Sequence, residues 1–99
     1  MPTYHIEASI YFLTPEEGGR TSPVRSGYRP QFYYEGQDWD AIHDYPGHDE
    51  VKPGSTVITL LSFLTPEQHR DRVKPGLAFE LREGAKVIGK GTVLRVFVL

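Results

Sequence analysis

A chain of 99 residues with a formal net charge of −2, 38% hydrophobic and 24% charged, has room for a single core. The near-neutral balance excludes a general nucleic-acid binder, so any RNA affinity must come from a local patch. The lack of cysteine excludes a disulfide framework and thiolate chemistry and suits a cytoplasmic protein. No apolar run approaches the ~20 residues of a membrane helix, and the N-terminus lacks a signal-peptide plan.

Residues 4–13 alternate, with Tyr4, Ile6, Ala8, Ile10 and Phe12 opposed to His5, Glu7, Ser9 and Tyr11. That period of two predicts a half-buried antiparallel strand. Thr14-Pro15 stops it, and a loop rich in Gly, Ser and Pro follows. A second strand is predicted from about Tyr28 to Glu35, with Pro30 near its start or edge. Gly36-Gln37 turns the chain into a short strand around Asp38 to Asp44, with Trp39 and Ala41 opposed to Asp40 and Ile42. Thr56 to Leu64 reads as a strand apolar on both faces. Glu67 to Lys74 (EQHRDRVK) reads as a solvated charged loop, or as a protein contact complementary to an acidic partner. Leu77 to Arg82 and Ala85 to Val98 pair as a hairpin around Glu83-Gly84, and Gly89 and Gly91 predict a bend or bulge. No apolar helical spacing persists over three turns, so the pattern is all-β, a sandwich or barrel.

Candidate chemistry is sparse. Gly84 to Lys90 fits seven positions of a phosphate-binding loop, but position eight is Gly91 and strand residues follow where a helix is required. His43 and His48, near Asp44, Asp49 and Glu50, are the only metal-ligand types in a cluster. Their spacing matches no ligand motif, and Pro46-Gly47 between them marks a turn. No nucleophile elbow or serine–histidine pairing is evident, so the expectation is no enzyme, no metal and no cofactor. The stretch Glu16 to Gln31 is the best binding candidate. Arg20, Arg25 and Arg29 follow one another there with no acid after Glu17, in a loop that runs into Phe32-Tyr33-Tyr34.

Those residues carry a resemblance. EEGGR followed by GYRPQFY, with IEASIYFLTPEEGGR, VKPGSTVITLL and GLAFELREGAKVIGKGTVLRV in order, resembles the C-terminal β-barrel domain of bacterial elongation factor Tu. The resemblance implies a six-stranded antiparallel closed β-barrel forming a single domain over residues 1–99. It also implies an RNA-facing surface in which Arg20, Gln31, Glu83 and Gly84 stand where contacts to the T-stem side of aminoacyl-tRNA would lie. Departures are specific: Thr21 replaces a His, Asp40-Ala41 a Thr-Gly pair, and Thr65 a Lys. From Glu35 to Glu50 there are six acids and no Lys or Arg, which opposes phosphate binding. No counterpart of the GTPase domain is present, so no GTP is expected on this chain. Met1 and Pro2 fall where the resembled domain begins, which implies a stand-alone domain. The reading that follows is a non-catalytic binding module for a protein partner, translation-related or self. The alternative is a reduced tRNA-binding domain using Arg20, Arg25, Arg29 and Gln31.

Overall fold

The computed structural model describes residues 3–99; Met1 and Pro2 lie outside the described residues. Six strands, β1 (Ile6–Phe12), β2 (Gln31–Tyr34), β3 (Gln37–Asp44), β4 (Thr56–Phe63), β5 (Ala78–Glu83) and β6 (Lys86–Val96), carry the fold. They close in the order β1-β4-β3-β2-β5-β6, every neighbour antiparallel. Closure leaves no free sheet edge. Among the described residues no helix is long and apolar enough to cross a membrane.

Alternation in the sequence becomes inside and outside. Ile6, Ala8, Ile10 and Phe12 of β1 are buried, and the residues between them are only partly so. On β3 the inner residues are Trp39, Ala41 and His43, while Asp38, Asp40 and Ile42 face out. β4 also alternates in burial, and its outer face keeps apolar Ile58 and Leu60, in line with a strand apolar on both faces. Val57, Thr59, Leu61 and Phe63 point inward, and Ile58 stays 48% exposed on the outside. β2 begins later than predicted, at Gln31, although the Tyr28 carbonyl still accepts from the His43 amide of β3 at 2.9 Å. Pro30 has no N–H to donate, so the ladder begins after it. Strand β6 follows the turn at Gly84, so the apparent phosphate loop lies on a hairpin.

β6 carries an extra residue at two places, the first directly beside Gly89. Leu81 faces Gly89 and Arg82 faces Val87, so Ile88 is the extra residue at one bulge. Glu7 faces Arg95 and Ala8 faces Val93, which leaves Leu94 extra at the other. Gly91 serves packing. A Cβ there would lie 2.3 Å from the Phe79 ring, which stacks on Phe32 with centroids 4.1 Å apart. At Gly89 the nearest atoms stand off at 3.1 Å.

The stretch after β4 also departs from expectation. Pro66–His69 forms a 3-10 turn, and His69 and Val73 are buried against the barrel rather than solvated. The imidazole stacks on Phe63 with centroids 4.0 Å apart. A run of charged residues hides this, because charge-rich composition reads as surface.

These contacts set a packing prediction. Gly91→Ala should cost about 2–3 kcal/mol, the range for overpacking a tight core, while Gly89→Ala should cost about 1 kcal/mol or less. Urea midpoints at constant slope measure both; equal costs would show that the Phe79 ring does not set the limit.

Candidate functional site

The connection between β1 and β2 and the β5–β6 hairpin meet at one rim of the barrel. Thr14 opens the connection with a capping box: its hydroxyl accepts from the Glu17 amide at 3.2 Å and its amide donates to Glu17 Oε1 at 2.9 Å. Tyr11 Oη donates to the same carboxylate at 2.6 Å, tying the turn to β1. At Gly19 a Cβ would lie 2.2 Å from the Leu13 carbonyl oxygen, so only glycine lets the chain fold back here. This doubling back delivers Arg20 to the hairpin.

Arg20 Nη1 pairs with Glu83 Oε2, and Tyr28 Oη donates to the same oxygen at 2.5 Å. The guanidinium carbon also lies 5.2 Å from the Tyr28 ring centre. One carboxylate oxygen thus takes two donors from the opposite loop. Burial works to raise the Glu83 pKa, but the bonds from Tyr28 and Arg20 outweigh it and hold the carboxyl below its ordinary range. Burial first, then the bond to Glu83, pushes the Tyr28 phenol well above its ordinary value. Gly84, φ 63°, sits at the hairpin tip beside this clasp.

A second cation lies next to it. Gln31 of β2 faces Arg82 of β5, and Arg82 donates to Glu80 Oε1 from Nη2 at 2.8 Å and from Nε at 3.3 Å. Its guanidinium carbon is 3.5 Å from the Tyr33 ring centre. The Gln31 side-chain oxygen is buried with no partner among the described residues. The structure therefore brings together Arg20, Gln31, Glu83 and Gly84. It does not bring Arg25 or Arg29 into that group: both are exposed, and Arg25 lies 4.0 Å from Glu50 with 74% of its side chain accessible.

Sequence reasoning missed Tyr28, Arg82 and Tyr33. A signal for Arg82 existed, because residues two apart on a strand share a face and Glu80 precedes it by two. Tyr28 carried none, since its partner is 55 positions away.

The two candidate histidines sit in different environments. His43 is buried on the inner face of β3, its Nδ1 2.9 Å from Tyr45 Oη, and burial drives its pKa down to about 3. His48 is exposed in the following turn. No group of three or more candidate ligands forms among the described residues. The outer face of β3 and β4 instead sets Ile42, Ile58 and the partly buried Leu60 beside Asp40 and Asp44.

The family described as Elongation factor Tu C-terminal domain matches residues 1–97. The chain belongs to that family. It is 40% identical over 97 residues to Elongation factor Tu 2 of Streptomyces avermitilis, a match covering 97% of this chain and 24% of that protein. The chain thus spans about a quarter of the length of this relative. For an elongation factor Tu C-terminal domain, the closed six-stranded barrel is the architecture found here.

Because the Glu83 pKa is depressed, its stabilisation is complete above the ordinary carboxylate range and is lost as pH falls through the folded value. Glu83→Gln should cost about 1 kcal/mol at neutral pH, the scale for a half-exposed pair with one added hydrogen bond. Urea titrations at neutral and at strongly acid pH test this. The gap from the wild type should close in acid, and a gap independent of pH would contradict the charge assignment.

Proposed function

We propose that this domain is a non-catalytic, translation-factor-like binding module that presents an elongation factor Tu C-terminal-domain surface to a protein partner. The described residues form one barrel around one core, which supports a single domain over residues 1–99. Family membership supports the link to translation, and with it a cytoplasmic setting without bound GTP. The observation that carries the protein-partner reading is the state of Arg20. Its charge is engaged by Glu83 and Tyr28, so a phosphate must displace a carboxylate already in place. Arg82 is likewise engaged by Glu80. Binding to RNA draws mainly on cations free to neutralise phosphates. The outward acids of β3 add repulsion beside exposed Ile42 and Ile58, a mixture better suited to a protein surface. The partner is a translation-related protein or a second copy of the chain.

A second reading keeps RNA as the ligand, with weak tRNA binding. Arg25 and Arg29 are exposed, Arg29 makes no ion pair among the described residues, and the Gln31 oxygen lacks a partner. Arg25, Arg29 and Gln31 would then carry the contact, with Arg20, Glu83 and Gly84 at its margin.

A mobility-shift titration with tRNA at low salt, and co-purification with and without nuclease, decide between them. The protein reading expects no submicromolar tRNA shift and a partner that survives nuclease. Reversing Asp38, Asp40 and Asp44 to Lys should then strengthen the tRNA shift and release the protein. Submicromolar tRNA affinity in the wild type would overturn the first reading.

A further inference from the structure

The segment 66–74 closes one end of the barrel and is held there by an inner and an outer grip, with buried Val73 and a bond from Arg70 Nε to the Leu99 carbonyl at 3.0 Å beside them. Inside, His69 is 0% exposed, with Nδ1 2.6 Å from Tyr34 Oη and its ring 4.6 Å from the Trp39 ring, edge to face. Outside, Arg72 donates to Glu35 Oε1 from Nε at 3.0 Å and Nη2 at 2.9 Å and covers the rings of Tyr34 and Trp39. Backbone bonds within the segment are local turns, such as Arg72 and Val73 amides to the His69 carbonyl. None belongs to a strand ladder, so the segment can leave without unpairing the sheet.

The inner grip suits only an uncharged imidazole. His69 Nε2 and Trp39 Nε1 are both buried with no partner among the described residues. A cationic imidazole has two N–H donors, and the socket offers one oxygen, that of Tyr34. The charged and titratable groups around it are Arg72 and Glu67 of the same segment, Tyr34 of β2, Glu35 in the turn after it, and His5 ahead of β1. No carboxylate bonds to the ring, and Glu35 is already bound to Arg72. Glu35 (φ 51°), the acceptor of that ion pair, lies with Gly36 in the two-residue turn between β2 and β3, where positive φ is the turn's own geometry.

We propose that segment 66–74 is a proton-released plug: protonation of His69 ejects it from the Tyr34–Trp39–Phe63 socket and opens that end of the barrel while the six strands stay paired. Burial first, then the nearby Arg72 charge, lowers the His69 pKa from 6.5 to about 4. The closed state therefore holds its full advantage above about pH 6.5 and loses it as pH falls towards 4. That gap allows acid to raise the ratio of open to closed by at most about 300-fold. Opening would expose the aromatic rings of Trp39 and Phe63 in acid alone.

Trp39 is the only tryptophan in the chain and reports on the socket directly. Its acrylamide quenching and the far-ultraviolet circular dichroism of the strands are followed together from neutral to acid pH. Quenching should rise about threefold before the strand signal changes, as expected of local rather than global opening. His69→Phe keeps the stacking and cannot take a proton, so its quenching should stay low until the strands unfold. Tyr34→Phe removes the hydrogen bond to the neutral ring and should raise the opening midpoint by about half a pH unit or more. Coincident loss of both signals in the wild type would overturn the proposal. So would the wild-type profile in His69→Phe, an unmoved midpoint in Tyr34→Phe, or abolition of the step by Glu35→Gln.

Discussion

The candidate binding rim of this barrel depends on one carboxylate oxygen, Glu83 Oε2, and the two donors it holds, Arg20 and Tyr28. The connection from β1 to β2 is long and poor in regular structure, so something outside it must fix its course. The capping box and Gly19 turn it back on itself, and the clasp fastens it to the β5–β6 hairpin across the rim. The side chains of Arg20 and Glu83 are 26% and 35% exposed, so the ion pair alone contributes at most about 1 kcal/mol. Its larger effect is on geometry and charge: it sets where Arg20 points and leaves less of its charge for a ligand.

That allocation of charge connects the fold to the proposed binding role. Across the rim and the neighbouring strands, Arg20, Arg82, Arg72 and Arg95 each have an acidic partner, Glu83, Glu80, Glu35 and Glu7. The family barrel is retained, while these four arginines are engaged within the molecule. What remains outward on β3 and β4 is a mixture of acids and isoleucines, and such surfaces gain more from burying apolar area against protein than from meeting phosphate.

The barrel was readable in the residues because its strands alternate. β1, β3 and the hairpin around Glu83-Gly84 follow from period two and turn chemistry. Three features were hidden for physical reasons. His69 sits within a charged run, so composition argues for solvent although the ring is in the core. Gly91 looks like a bend, yet its role is defined by the Phe79 ring on the adjacent strand. The clasp joins positions 20 and 83, and no local pattern records a contact at that separation. Arg20, Gln31, Glu83 and Gly84 were gathered by family resemblance, whereas their mutual engagement is visible only in three dimensions.

The most direct test of this account is a double-mutant cycle on Arg20→Ala and Glu83→Ala, read by urea unfolding at neutral pH and low salt. A clasp that commits Arg20 to the barrel predicts a coupling of about 0.5–1 kcal/mol that weakens with added salt. A coupling indistinguishable from zero would mean that Arg20 is free for a ligand and would contradict the account.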